Sequence, residues 1–173
     1  SKYAFLWIDE FPLVEETEDE NGEKHLHMLH HPFTQPHPED IDKIETAPAE
    51  IRSISYDLVL NGYELGSGSL RVFDTELQTR LLKMVGIEQE EAEERFGFFL
   101  EALKYGTPPH GGMGLGLDRI IMILAGSDTL RDVIAFPKTQ KAACPMSEAP
   151  GSVDQQQLDD IHIALAKKDK AEE

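Results

Sequence analysis

The sequence predicts an α+β fold in which an antiparallel sheet is flanked by helices. Its strongest signal is Asn61-Gly62, a two-residue hairpin turn that joins a strand-forming stretch at 52–60 to a second strand. A second signal is a run of glycines with period two, after which the apolar residues change to helical spacing. Two helices are predicted between these features, at 74–85 and at 88–105.

Composition limits the classes of protein to which the chain can belong. Its 173 residues are enough for one domain with a core, and 40% of them are hydrophobic. The formal charge is −17, so the surface should repel nucleic acid. A single cysteine, Cys144, excludes an internal disulfide and suits a reducing compartment. There is no signal peptide and no membrane-spanning apolar run, so we expect a cytoplasmic protein.

The first 50 residues predict a strand and an acidic hairpin. An apolar run at 3–8 is the strand, the acidic stretch at 15–22 is a solvated hairpin tip, and 25–29 returns as its partner. Five histidines between His25 and His37 invite a metal, but cysteine pairs and a helical H-x-x-x-H are missing. No dedicated zinc site is therefore predicted, and 39–49 is expected to be irregular or briefly helical.

The hairpin turn brings two carboxylates together. A two-residue loop makes Val59 oppose Glu64 and Asp57 oppose Gly66. Asp57 and Glu64 are then diagonal neighbours on one face, about 7–8 Å apart at the backbone, and such a pair can hold Mg²⁺. The alternative, two solvated acids on an exposed hairpin, is the commoner arrangement in general. Both acids flank positions with a buried character, which favours the metal.

Arg71 follows the same strand, but simple alternation misplaces it. Counting by twos from Glu64 puts Arg71 on the opposite face of the sheet. A bulge or strand break at Gly66-Ser67-Gly68 would return it to the face of the two acids. We therefore expect an irregularity at these glycines, with Arg71 and Glu64 in one cleft beside Arg119.

The glycine strand at 112–116 predicts a ligand surface. Gly112, Gly114 and Gly116 leave one face without side chains, which suits a flat group that approaches the backbone. Arg119 falls in the first turn of the next helix, where a bound anion would explain it. The alternative is a buried strand with packing glycines and Arg119 in a salt bridge. The G-x-G-x-x-G and P-loop patterns are both missing.

The last third of the chain carries weaker signals. A helix after the glycine strand is predicted to stop at Gly126, and 130–137 is predicted to be a short strand ended by proline. Residues 138–150 are predicted to be a loop. Ser152 with Gln155 forms a capping-box pattern for a final helix, and 167–173 is expected to fray.

Taken together, the motifs resemble the C-terminal part of the catalytic domain of bacterial-type aspartyl-tRNA synthetases, which are class II enzymes. The resemblance covers most of residues 5–150 in the family's order and implies one incomplete, class II synthetase-like domain over 1–173. The matching stretches are His30–Thr34, Tyr56–Glu64, Lys104–His110, the glycine strand with Asp118-Arg119, and Arg131–Lys138.

The resemblance also implies a role for each matching position. Asp57 and Glu64 would hold Mg²⁺ on the ATP phosphates, and they form the catalytic set with Arg119, which would take the γ-phosphate. Arg71 would grip the aspartate side chain with its bidentate fork, while His30 and His31 line the amino-acid pocket. The positions implied around ATP are Glu64, Gly114, Leu115, Gly116, Asp118 and Arg119.

The implied activity is that of an aspartate–tRNA ligase, which uses ATP, Mg²⁺ and L-aspartate to form aspartyl-adenylate and then aspartyl-tRNA(Asp). The parent enzyme would be a homodimer. The anticodon-binding barrel and the family's first two motifs are missing, so the isolated chain is expected to be inactive. The alternatives are asparagine or lysine specificity, against which Arg71 and the His-His-Pro-Phe segment argue, and a non-catalytic nucleotide- or partner-binding module. The sequence leaves open whether the parent also charges tRNA(Asn).

Overall fold

A computed structural model of the chain describes residues 2–19 and 21–166. It contains a four-stranded antiparallel sheet in the order β1-β4-β5-β6 and a separate hairpin of β2 and β3. The predicted α+β architecture, an antiparallel sheet with flanking helices, is confirmed. The strands are β1 (Phe5–Asp9), β2 (Val14–Glu18), β3 (Lys24–Met28), β4 (Ser55–Leu60), β5 (Tyr63–Leu70) and β6 (Gly111–Leu115). The helices are α1 (Thr75–Met84), α2 (Gln89–Leu103), α3 (Leu117–Ala125) and α4 (Gln155–Asp160), with 3-10 turns at Pro38–Lys43, Pro48–Glu50 and Leu130–Asp132.

The β4–β5 hairpin has the predicted turn. Asn61 and Gly62 have φ values of 52° and 86°, and two consecutive positive values are what a type I′ turn requires. Val59 opposes Glu64, as predicted from the two-residue loop. The turn therefore sets the register at the start of β5.

The bulge in β5 lies one residue earlier than predicted. The register shifts between Leu58 and Val59, so Leu65 has no partner on β4 and Asp57 opposes Ser67. The predicted pairing of Asp57 with Gly66 is therefore wrong. Gly66 is needed for close packing, since a Cβ there would lie 2.8 Å from the Gly114 carbonyl oxygen on β6. The glycines of β5 admit the neighbouring strand, and the extra residue is Leu65.

The shift has the predicted effect on Arg71. Cross-strand partners share a face, and Val59 lies on the same face as Asp57. Glu64 opposes Val59 and so lies on that face too. Beyond the bulge, Ser67 and Ser69 share the same face. Alternation then carries Arg71 to it as well. On β6, Gly112 and Gly114 pair with Ser69 and Ser67 and belong to it too. We call this the site face; its members are Asp57, Glu64, Ser67, Ser69, Arg71, Gly112, Gly114 and Gly116.

The hydrophobic core lies beside the sheet, where the β2–β3 hairpin meets α1. Its fully buried members are Leu13, Val14, Ile44, Ile51, Val72 and Leu81. The acidic stretch was predicted as a turn over 15–22, but Glu15 to Glu18 belong to β2. The reversal is centred on Asp19, whose Oδ1 accepts the backbone N–H groups of Asn21 and Glu23 at 2.9 Å each. That local bond places the turn later than charge alone suggests.

Two predictions in the last third are wrong. Residues 130–137 were predicted as a strand, yet Leu130–Asp132 is a 3-10 turn. The Ser127 hydroxyl donates to Asp132 at 2.8 Å and the Arg131 N–H donates to Thr129 at 3.3 Å, and such local bonds favour a turn. The final helix begins after Asp154, whose N–H donates to Gln157 at 3.2 Å, rather than after Ser152. The prediction that 167–173 frays lies outside the described residues.

No helix within residues 2–19 and 21–166 has both the length and the apolar character needed to cross a lipid bilayer.

Candidate functional site

The two acids lie on the site face as diagonal neighbours. Val59 opposes Glu64, and Asp57 lies two residues before Val59 on β4. Asp57 Oδ1 is buried and has no hydrogen-bond partner among the described residues. A buried carboxylate oxygen without a donor is costly, and a cation that reaches it would remove that cost. The fit with a divalent cation is chemical, since Mg²⁺ prefers carboxylate oxygens and takes its other ligands from phosphate and water.

Three glycines form an open shelf, namely Gly112, Gly114 and Gly116. A Cβ at Gly112 would meet no heavy atom of the described residues within 4 Å, and one at Gly114 would meet only the Ser67 carbonyl oxygen, at 3.9 Å. By contrast, a Cβ at Gly66 would lie 2.8 Å from both backbone and side-chain atoms. A Cβ at Gly116 would make ordinary contacts, the nearest with the Leu65 carbonyl oxygen at 3.5 Å. Gly112 and Gly114 are therefore bare without any packing need, as expected where a flat ligand rests on the strand.

Arg119 lies at the end of the shelf, in the first turn of α3. Its guanidinium donates to the Glu64 carbonyl oxygen at 2.6 Å and lies 3.8 Å from the Glu64 carboxylate. Its side chain remains 43% exposed, so the cation faces an open cavity of about 370 Å³. The cavity is bordered by Glu64, Ser67, Gly114, Gly116, Asp118 and Arg119. The predicted nucleotide-binding residues among them, all but Ser67, are thus brought together.

Leu115 is the predicted nucleotide-binding residue that does not join them. It pairs with Gly66, so its side chain points to the face opposite the site face. Its side chain lies against Gly66, where an added Cβ would meet it at 2.8 Å. Leu115 was included because it lies between Gly114 and Gly116 in the motif, but adjacent strand residues point to opposite faces.

Arg71 and His31 form a close pair at the other end of the site face. The Arg71 guanidinium donates to His31 Nδ1 at 3.0 Å, and the Phe33 backbone N–H donates to the same nitrogen at 3.1 Å. Both groups can only donate, so Nδ1 must be an acceptor and the neutral ring carries its proton on Nε2. Burial, the charge of Arg71 and the neighbouring His30 lower the pKa of His31, in that order. The ring is therefore neutral at pH 7.

His31 Nε2 is a buried donor without an acceptor among the described residues. His30 is placed differently, because its ring packs edge-on against Phe11 with centroids 5.3 Å apart. Of the two predicted histidines, His31 is the one whose ring contacts Arg71. Because Nδ1 faces Arg71, the Nε2–H points away from the guanidinium, and the other N–H groups of Arg71 are the donors that suit an anion.

Ser69 was missed by sequence reasoning. It is 3% exposed, lies on the site face two residues before Arg71, and its hydroxyl has no partner among the described residues. The signal that could have found it is its parity with Arg71, which becomes readable once the bulge is placed. The Ser69 hydroxyl, like Asp57 Oδ1, is thus a buried polar group of the site face without a partner among the described residues.

Three potential metal ligands lie close together at the β2–β3 tip. Within the described part of the chain, the group of three that is close enough to share an ion is Asp19, Glu23 and His25, all exposed. His30, His31 and His37 take no part in it. Exposed acidic groups are common without an ion, so the absence of a dedicated zinc site stays a prediction.

Comparison with known proteins gives consistent relatives. A family model described as tRNA synthetases class II (D, K and N) matches residues 1–140. The aspartate–tRNA(Asp/Asn) ligase of Caldanaerobacter subterraneus subsp. tengcongensis is 55% identical over 165 residues, which are 95% of this chain and 27% of that protein. The ligase of the same name from Bacillus cereus is 52% identical over 98% of this chain and 28% of its own length. The chain thus spans little more than a quarter of these relatives.

Solved structures share the fold. The aspartyl-tRNA synthetase from Entamoeba histolytica superimposes with a TM-score of 0.58 at 26% identity, over 82% of this chain and 24% of that one. The asparaginyl-tRNA synthetase from Pyrococcus horikoshii has a TM-score of 0.57 at 20% identity, over 82% of this chain and 28% of its own. The latter likeness concerns the fold alone.

Proposed function

Since the chain belongs to the class II tRNA synthetases of the D, K and N type, we propose that it is part of an aspartate–tRNA ligase. The whole protein would join L-aspartate to ATP as aspartyl-adenylate and then transfer the aspartyl group to tRNA. One observation carries the proposal: a bare glycine shelf, two acids and Arg71 share the site face of a single sheet, and Arg119 borders the shelf from α3. These are the groups that a nucleotide, a divalent cation and a carboxylate would each need.

ATP is assigned to the shelf end of the site face. The adenine would rest on Gly114 and Gly116, and Arg119 would meet the γ-phosphate. Asp57 and Glu64 would hold Mg²⁺, which when bound neutralises charge on the phosphates. The partnerless Asp57 oxygen and the open space above the glycines support this assignment.

L-Aspartate is assigned to the Arg71 end. Its side-chain carboxylate would accept from the Arg71 fork, whose N–H groups only donate. Asparagine would bring an NH₂ group toward these donors, and a donor facing a donor leaves both unpaired. The geometry therefore favours aspartate over the asparagine alternative.

The reaction needs no nucleophilic side chain. An oxygen of the aspartate α-carboxylate attacks the α-phosphorus of ATP, and the bond to the β-phosphate bridging oxygen breaks to release pyrophosphate. This chain's residues would contribute by holding the two substrates on one face and by placing cationic and hydrogen-bonding groups at the charged atoms.

The wider setting is also part of the proposal. The family resemblance supports a homodimeric whole protein that acts in the cytoplasm, where translation takes place. The charge of −17 supports a tRNA-binding surface that lies mainly outside this segment. The names of the relatives mention both tRNA(Asp) and tRNA(Asn), so the charging assay should use both.

Arg71→Lys in the full-length protein tests the assignment. A lysine keeps the charge but loses the two-point fork, which costs about 1.5–3 kcal/mol of binding free energy. The KM for aspartate in pyrophosphate exchange should therefore rise about ten- to 150-fold. The KM for ATP should stay unchanged, and discrimination against asparagine should fall. Arg80→Lys is the control, because Arg80 pairs with Glu45 away from the site face. An Arg71→Lys enzyme with the normal aspartate KM and discrimination would refute the assignment.

A further inference from the structure

A glutamine is buried in α1 among apolar residues. Gln78 is 0% exposed, between the core positions of the helix. Its side-chain amide nitrogen donates to the Pro32 carbonyl oxygen at 2.7 Å. A peptide carbonyl can only accept, so the group that faces it must be the NH₂ group of Gln78.

The bond reaches His31 through one peptide group. The Pro32 carbonyl and the Phe33 N–H belong to the same planar peptide unit. Gln78 donates to the oxygen of that peptide unit, and the Phe33 N–H of the same unit donates to His31 Nδ1 at 3.1 Å. Any rotation of the peptide plane that the loss of Gln78 permits would therefore move the Phe33 N–H, which with Arg71 donates to His31 Nδ1.

We propose that Gln78 is a positioning residue that orients the Pro32–Phe33 peptide, so that the Phe33 N–H joins Arg71 in holding the His31 ring beside the ligand that Arg71 binds. The identity of that ligand as an aspartate carboxylate rests on the proposed function. The hydrogen-bond chain itself does not, because it lies entirely within the protein.

The surroundings make this peptide a precise support. α1 is fixed at its start by Asp74, whose carboxylate accepts the Leu77 N–H at 2.8 Å. On the other side of the peptide, the Phe33 ring packs on Phe96 and Phe99, with centroids 5.4 and 4.5 Å away. The Pro32–Phe33 peptide lies between these two fixed elements, and the bond from Gln78 holds the orientation of its plane.

The burial of Gln78 also points to a role beyond packing. Its Oε1 is buried without a partner among the described residues. An unpaired buried amide oxygen lowers stability, and an apolar side chain of similar volume would avoid that loss.

The charged and titratable groups around the His31 ring are Arg71 and His30, and neither reaches it through α1.

The first test reads the tautomer and the hydrogen bond to Nδ1. In protein labelled with ¹⁵N, long-range ¹H–¹⁵N correlation at neutral pH should show one neutral tautomer of His31, protonated at Nε2. Gln78→Met keeps the volume but removes the donor; it should keep this tautomer, because Arg71 still donates to Nδ1, and should shift the Phe33 amide and His31 Nδ1 resonances as their bond weakens. Leu81→Met is the control, because it alters a fully buried position of the same helix without touching a hydrogen bond. Unchanged Phe33 amide and His31 Nδ1 resonances in folded Gln78→Met would overturn the proposal.

A second test needs no variant and so does not depend on whether Gln78→Met folds. Protonation of His31 breaks the Phe33 N–H bond to Nδ1, so the Phe33 amide and the Gln78 side-chain amide should shift with the midpoint of His31. If the two amides do not follow His31, the chain of bonds is not coupled and the proposal is wrong.

A kinetic test separates this inference from the proposed function. In the full-length enzyme, Gln78→Met should raise the KM for aspartate by up to about a hundredfold, the size that a shift of about 1 Å can produce, and leave the KM for ATP unchanged. If the unaltered enzyme shows no aspartate-dependent exchange, the proposed function fails. The result of the first test still stands or falls independently, since it is measured without substrate.

Discussion

Gly114→Ala is expected to weaken ATP binding without weakening the fold. An alanine Cβ at this position would meet only the Ser67 carbonyl oxygen, at 3.9 Å, so it fits the protein. Gly114 is not among the residues with positive φ, so alanine can adopt its backbone conformation. By restricting the unfolded chain, the substitution should raise the free energy of unfolding by about 0.4–1 kcal/mol.

The effect on the nucleotide follows from the space that the methyl group takes. It would lift a flat base from the shelf and remove on the order of ten atom contacts, worth about 0.1–0.2 kcal/mol each and roughly 1–2 kcal/mol in all. Since about 1.4 kcal/mol is a factor of ten, the Kd for ATP should rise about five- to thirtyfold.

Calorimetric titration of the full-length protein with Mg²⁺ and ATP measures the binding, and urea denaturation measures the stability. Gly66→Ala is the matched control, because its Cβ would lie 2.8 Å from the Gly114 carbonyl oxygen and should destabilise the sheet. The reasoning is refuted if Gly114→Ala binds ATP as tightly as the unaltered protein, or if it loses stability as Gly66→Ala does.

Three further predictions concern the metal, nucleic acid and acid stability. Mn²⁺, detected by electron paramagnetic resonance, should bind to Asp57 and Glu64 only with ATP present; a tight site without nucleotide would contradict this. The chain should show no sub-micromolar tRNA binding in a filter assay at about 150 mM salt. Hydrogen bonds from the Arg52 side chain and backbone and from Lys43 hold the pKa of the buried Asp40 carboxyl well below its usual range. The ionised Asp40 carboxylate therefore stabilises the fold above about pH 4, and this stabilisation is lost as pH falls further. Asp40→Asn should unfold more easily at pH 7 and lose less stability below about pH 4.

The hairpin turn could be predicted from sequence because its cause is local. Two adjacent positive φ values need Asn and Gly at those positions, whatever surrounds them. The bulge position could not, because it depends on how closely β6 approaches Gly66. A wrong strand was predicted at 130–137 because apolar content was read without the competing bonds of Ser127 and Thr129.

The candidate site divides in the same way. The acid pair follows from the hairpin turn and the bare shelf from spacing along one strand, and the sequence alone indicates both. The placement of Ser69 and the contact of Gln78 do not follow from spacing, since the first needs the corrected register and the second depends on how α1 meets the Pro32 carbonyl. Contacts between segments far apart in the chain leave no periodic trace in the sequence.

The extra residue at Leu65 makes the length of β5 part of its chemistry. Removing Leu65 would restore plain alternation and leave the two serines and the arginine on the site face. If Leu65 instead stayed and took a paired position, the site face would receive Gly66, Gly68 and Leu70 in place of those three residues. The step of seven residues from Glu64 to Arg71 therefore requires the bulge, whereas a step of six would not. Among relatives, the separation of the glutamate from the arginine should change together with the presence of the bulge.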